Sequence, residues 1–245
     1  MRFNGHTHSY FSNALTHVGR VRERNEDAFL DRPDLGLWAV ADGMGGHYAG
    51  DYASARIVDA LHDIDPPSDP SHFMEAVRRR LTEVDSELRN RAVAFGRGAL
   101  IASTVVALLV FGRYFACVWA GDSRLYLLRD GVMRQLTHDH SRVEELIREG
   151  ELDERDAATH PDANVLTRGI GAGSFELDTL QDRIYPGDIF LLCSDGLYKM
   201  MSAPEIERSL IGTSSAEAGN RLLEIALDRG AIDNVTIVLV NVDRN

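Results

Sequence analysis

Five short segments set acidic residues beside glycine, asparagine or serine: Asn25-Glu26-Asp27, Ala41-Asp42-Gly43-Met44-Gly45-Gly46, Gly121-Asp122-Ser123-Arg124, Ser194-Asp195-Gly196 and Ile232-Asp233-Asn234. Asp42 and Asp195 adjoin apolar runs, Leu35 to Ala41 and Ile189 to Cys193. An ionised carboxylate at the end of a buried strand is costly unless something cationic neutralises it. Glycine beside each acid lets the backbone approach closely, so a main-chain carbonyl can join the ligand set. All-oxygen ligands with no nearby Cys or paired His suit a hard divalent ion, Mg²⁺ or Mn²⁺. Turn formation alone accounts for any one Asp-Gly pair, but it needs no acid against an apolar run.

Other chemistries fit poorly. A cysteine-dependent phosphatase needs Cys-x5-Arg, yet Ser123 follows Cys117 at that distance and Lys199 follows Cys193. Both cysteines lie inside apolar runs and read as core. Gly169-Ile-Gly171-Ala-Gly173-Ser174 lacks the last glycine of a dinucleotide loop and has no strand–helix frame. Asp63-Ile-Asp65-Pro-Pro67 has proline where an aspartyl-phosphate motif wants Ser, Thr or Val. His6-Thr-His8 and His138-Asp-His140 have the spacing of a zinc pair, but no further soft ligand accompanies either.

The elements that must position these acids can be read from periodicity. Leu35 to Ala41 predicts a buried strand. Ala49 to Leu61 and Ser71 to Ala94 predict helices, the second with a stripe of Phe73, Val77, Leu81, Val84 and Leu88. Short apolar runs follow at Leu100–Phe111, Tyr114–Ala120, Arg124–Arg129 and Val132–Leu136, and Asp130-Gly131 signals a hairpin. Ser141–Glu149 reads as helix, and 150–174 has no clear period. Leu180–Ile184 and Asp188–Cys193 flank a Pro186-Gly187 turn. Ala203–Ile211 and Ser215–Arg229 read as helices, and Val235–Val242 closes as a strand. Grouped helices and strand meanders favour an antiparallel α+β architecture over alternating βαβ units.

The chain has 245 residues and a formal net charge of −12, which suits neither a nucleic-acid backbone nor an anionic membrane as main partner. Two cysteines make no disulfide framework and point to a reducing compartment. Residues 1–10 carry no apolar signal core, and the longest apolar run, Ala99 to Phe111, is too short to span a bilayer. The expectation is one catalytic domain over residues 1–245, monomeric and cytoplasmic.

Taken together, Arg22 to Asp27, Asp42 to Gly46, Gly121 to Arg124, Ser194 to Leu197 and Asp233 to Thr236 resemble, in order and spacing, the metal-dependent Ser/Thr protein phosphatases of type 2C, the PPM family. The resemblance runs from about residue 16 to residue 240. It implies a four-layer α-β-β-α sandwich of two antiparallel sheets, with two Mn²⁺ or Mg²⁺ ions in a cleft at one end. On this resemblance Asp42 bridges both ions, the Gly43 carbonyl binds one of them, and Asp195 and Asp233 bind the other. Glu26 and Asp27 act through metal-bound waters. Asp122 matches the position of a weak third ion in bacterial-type members. Arg22 alone reads as a solvated charge beside Glu23 and Arg24; the resemblance makes it the phosphate-holding residue, because a guanidinium grips two oxygens at once. The implied reaction is hydrolysis of phosphoserine and phosphothreonine by a hydroxide bridging the ions, attacking in line. It would reverse a partner Ser/Thr kinase. A catalytically weak phosphoprotein-binding member and a small-molecule phosphoesterase are the alternatives.

Two positions depart from the family pattern. Met44 stands where animal members often carry a histidine able to protonate the leaving group. Lys199 stands where many members carry an aspartate, and an ammonium opposes a third ion at Asp122. The irregular stretch within 137–174, with His140 and His160, corresponds to the flap beside the cleft.

Overall fold

The computed structural model describes residues 9–45, 49–96, 98–173 and 175–243. His6, His8, Gly46 and Ser174 lie outside them. Strands β1 (Tyr10–His17), β2 (Asp27–Arg32) and β3 (Leu37–Gly45) lead into helices α1 (Ala49–His62) and α2 (Pro70–Phe95). Next come β4 (Ile101–Ser103), β5 (Val105–Phe111), β6 (Tyr114–Ala120), β7 (Arg124–Arg129), β8 (Val132–Gln135) and α3 (Arg142–Glu149). Two-residue strands β9 (Arg168–Gly169) and β10 (Ala172–Gly173) precede β11 (Asp178–Arg183) and β12 (Ile189–Cys193). The chain closes through α4 (Asp195–Tyr198), α5 (Ala203–Leu210), α6 (Ser215–Asp228) and β13 (Val235–Val242).

Alternation along the central strands builds the layers. On β3, Leu37, Ala39 and Ala41 face one way and pack with Ile57 and Leu61 of α1 and Val77 and Leu81 of α2. Trp38 and Val40 face the other way and meet Val238 and Val240 of β13. Ile237 and Leu239 of β13 face Leu222 and Ala226 of α6 and Ile206 of α5. A strand buried on both faces reads as a continuous apolar run, and Val105–Val110 and Ile237–Val240 are such runs. The sheets have orders β1-β13-β12-β7-β8 and β11-β6-β5-β3-β2, with β4 added to the end of β3. All named pairings are antiparallel. This is the expected four-layer sandwich.

α2 starts at Asp69, whose carboxylate accepts from the His72 amide at 2.9 Å, followed by Pro70 in the first turn. The β7–β8 hairpin turns on Asp130 and Gly131, at φ +53° and +79°, the left-handed pair such a turn requires.

One expectation needs correction. The run Leu100–Phe111 is not one strand: it breaks at Thr104, where β3 changes partner from β5 to β4. The Pro186-Gly187 turn falls where expected, and its flanking strands lie in different sheets: β11 pairs with β6 in one, β12 with β7 and β13 in the other. The turn carries the chain between sheets. Strands β1 and β2 also escape the periodicity, since both are half-buried edge strands with mixed polar and apolar residues.

Candidate metal centre

Antiparallel pairing brings the strand ends that carry the acids to one end of the sandwich. β2 starts with Asp27, and Asp42 lies directly opposite it on β3. Asp122 sits in the turn between β6 and β7, Asp195 opens α4 after β12, and Asp233 precedes β13. Like charges opposite each other across a strand pair oppose folding, and here each acid feels several others.

The carboxyl of Asp42 is pushed well above the ordinary range by burial and by Asp27, Asp195, Asp122 and Asp233. Burial pushes Asp27 up to about 7 against the pull of its own hydrogen bonds, with Asp195 and Asp233 adding to the rise. Asp122 also rises to about 7, from burial and then from Asp195 and Asp139. Glu26 is raised by burial and by Asp51 of α1. So the structure gathers Glu26, Asp27, Asp42, Asp122, Asp195 and Asp233 into one mutually repelling group.

Asp27, Asp42 and Glu26 are held in place by neutral hydroxyls and amides. Asp27 Oδ2 accepts from Ser194 Oγ and Thr236 Oγ1, both at 2.7 Å. Thr236 Oγ1 lies 2.8 Å from Thr16 Oγ1, which accepts from Asn25 Nδ2 at 2.8 Å. Asp42 donates its amide to Thr104 Oγ1 at 3.0 Å and accepts from the Thr104 amide at 2.9 Å. The polar break in the β4–β5 run therefore holds Asp42. Asn234, only 4% exposed, staples three segments: Nδ2 donates to the carbonyls of Val18 and Arg24, and Oδ1 accepts from the Glu26 amide. The glycines are sterically required. A Cβ on Gly43 would run into the Gly50 carbonyl and come within 2.7 Å of the Glu26 carbonyl, and one on Gly196 would strike the Asn234 carbonyl.

Two oxygens remain without a partner. Asp27 Oδ1 and Asp195 Oδ1 are buried and bonded to nothing, each in a residue only 8% exposed. Orphaned buried acceptors among mutually repelling carboxylates call for positive charge. Oxygen donors alone suit a hard divalent cation, so the residues fit the expected ions. At the mouth, Arg22 pairs with Asp233 Oδ2 at 2.7 Å, and its side chain stays 53% exposed. Met44 lies half-buried on β3.

The His138–His140 pair gains a third neighbour that sequence spacing could not show. Both Nε2 atoms approach Asp178 Oδ2, at 3.0 and 3.2 Å. Arg168 occupies the other oxygen at 2.9 Å. The Gly121 amide donates to His140 Nδ1, so the neutral ring carries its proton on Nε2, toward Asp178. That tautomer has no lone pair for an ion there, and Asp178 is already filled by cationic and N–H donors. The cluster anchors the start of the 137–174 segment, with Trp119 donating to the His138 carbonyl and stacking on His140. His160 accepts from the Asp162 amide within that segment. Cys117 and Cys193 are buried and free, as expected of core residues, and burial pushes the Cys193 thiol up to about 12.

Residues 17–228 match the family described as protein phosphatase 2C. The chain is 36% identical over 237 residues to a serine/threonine phosphatase, stp, of Listeria monocytogenes, covering 93% of this chain and 94% of that one. Among solved structures, PppA of Pseudomonas aeruginosa, described as a key regulatory component of T6SS, superposes with a TM-score of 0.88 at 42% identity, over 95% of this chain and 97% of that one. The catalytic domain of the serine/threonine protein phosphatase PstP, in complex with two manganese ions, gives a TM-score of 0.83 at 34% identity, over 96% and 98% of the two chains.

Proposed function

The chain belongs to the protein phosphatase 2C family, and from that premise we propose that the acidic centre at the end of the sandwich is its catalytic site. The protein is a metal-dependent serine/threonine phosphatase, a phosphoric monoester hydrolase. Asp42, the Gly43 carbonyl, Asp195 and Asp233 would hold two Mn²⁺ or Mg²⁺ ions, with Glu26 and Asp27 acting through water. The carrying observation is the pair of unpartnered buried oxygens on Asp27 and Asp195 within one repelling cluster. Such ions supply positive charge against the phosphoryl oxygens and acidify a water.

The chain's own residues do the positioning. Arg22 presents a planar fork at the mouth and orients the substrate phosphate by paired charged hydrogen bonds. Ser194 and Thr236 keep Asp27 Oδ1 facing the cluster by occupying Oδ2. Thr104 and Asn234 hold the backbones of Asp42 and Glu26 in register. Met44 carries no transferable proton, which leaves protonation of the departing alkoxide to water. Phosphate esters hydrolyse very slowly unaided, so this preorganised electrostatic frame has a large barrier to lower.

The substrates are then proteins phosphorylated by a Ser/Thr kinase that this enzyme opposes. We read it as cytoplasmic and monomeric; its two unpaired cysteines suit a reducing compartment. No helix among the described residues is long and apolar enough to cross a membrane. Release of phosphate from a phosphothreonine peptide, with and without Mn²⁺, tests the reading. Mn²⁺-dependent turnover that favours the peptide over small phosphoesters supports it, and turnover unaffected by chelation overturns it. The 42% identity to PppA favours substrates in an assembly of the T6SS kind. Phosphoproteomics of a deletion strain checks this, and an unchanged phosphorylation state of such an assembly sinks it.

A further inference from the structure

Besides Arg22 at its mouth, the acidic centre holds a second cation, Lys199. α4 is a single turn, and its i, i+4 geometry lays Lys199 Nζ on Asp195 Oδ2 at 2.6 Å. The same ammonium donates to Asn164 Oδ1 at 2.8 Å, from the middle of the 137–174 segment. Its side chain is only one-third exposed, at 33%. Asp122 feels the same ammonium, and its Oδ2 takes a hydrogen bond from Tyr198 at 3.3 Å.

We propose that Lys199 is a built-in cation that neutralises the Asp122–Asp195 end of the centre, excludes a further metal ion there, and straps the segment around Asn164 to it. An ammonium has three donors and no lone pair, so it satisfies carboxylates while repelling a divalent ion at short range. It caps Asp195 Oδ2 and leaves Oδ1, the unpartnered oxygen, for the ion pair. A covalently attached charge does not dissociate, so this end of the centre becomes indifferent to free metal concentration. Lys199 is in this sense a positioning residue, acting through Asp195 and Asn164. The inference rests on the metal-holding role given above to Asp195.

Calorimetric titration with Mn²⁺, paired with limited proteolysis, tests it. The wild-type chain takes up two ions, and the Lys199→Asp chain takes up a third. Asp122→Asn in the wild-type background leaves the count at two, which keeps the test decisive if Lys199→Asp does not fold. Lys199→Met and Asn164→Ala each speed cleavage within 150–166 several-fold, and Asn164→Ala leaves the ion count unchanged. A third ion in the wild type, a third ion missing from folded Lys199→Asp, an ion lost in Asp122→Asn, or unchanged cleavage in both strap variants overturns the proposal. No Mn²⁺ uptake by the wild type would instead overturn the metal-centre reading on which it rests.

Discussion

Replacing Asp27 by Asn should stabilise the ion-free protein, and by an amount that depends on pH. The carboxyl is buried, sits opposite Asp42, and ionises near 7 rather than its ordinary 3.8. The sign follows from linkage. The native state holds its proton longer than the unfolded state, so stability falls as pH rises from about 4 and levels off above about 7. For one such group the loss amounts to about 2 kcal/mol at pH 5 and about 4 kcal/mol at pH 8. Asparagine keeps the shape, and its carbonyl can still accept from Ser194 and Thr236. Its amide nitrogen takes the place of Oδ1, which has no partner to lose. A chain of this size shifts in Tm by roughly 2–4 °C per kcal/mol. Thermal unfolding in chelator should therefore show Asp27→Asn melting several degrees above the wild type at pH 8, with a clearly smaller gap at pH 5. Saturating Mn²⁺ should reverse the order at pH 8, since the ion stabilises only the form that binds it well. If Asp27→Asn melts below the wild type at pH 8 in chelator, or if the gap does not change with pH, then Asp27 is not strained by uncompensated charge.

Three further outcomes follow from the same geometry. Mn²⁺ binding should release protons at pH 6 and tighten as pH rises toward 8, because Asp27, Asp42 and Asp122 are held partly protonated; titration in buffers of differing ionisation enthalpy reads the protons directly. Arg22→Ala should weaken binding of a phosphopeptide by about 2 kcal/mol, a loss of roughly 30-fold, through removal of a charged hydrogen bond; steady-state kinetics should show it mainly in KM, and Lys should restore little of it. Gly43→Ala should cost about 1–3 kcal/mol or more through forced overpacking against the Gly50 and Glu26 carbonyls; its lowered Tm should be accompanied by weaker Mn²⁺ uptake.

Much of this site is legible in the sequence, for a physical reason. An acid beside glycine at the end of an apolar run runs against ordinary burial, so Asp42 and Asp195 stand out from their neighbours in the sequence. The long helices α1 and α2 carry strong stripes and were legible nearly to the residue. The polar partners were not. Thr104 looks like an interruption of an apolar run, and only the strand register shows that it holds Asp42. Asn164 and Lys199 lie 35 positions apart and meet through tertiary packing that no spacing encodes. Asp178 reaches two histidines from a strand in another part of the chain. Strands β1 and β2 stayed hidden because an edge strand exposes one side and loses its alternation. Pro186-Gly187 marks the turn, but the same dipeptide suits a hairpin and a crossing between sheets, so it does not say which strands pair.

The pairing of β1 with β13 has a consequence for how the enzyme comes into being. Residues 10–17 align with 235–242, contacts more than two hundred positions apart. Asp233 and the Asn234 staple arrive with that final strand. A ribosome-bound chain still lacking it can form helices and local hairpins, but it cannot gather its acids. Hydrolytic competence therefore switches on only once residues 235–242 are free to pair with 10–17, and a chain cut short of them is inert toward the phosphoproteins around it.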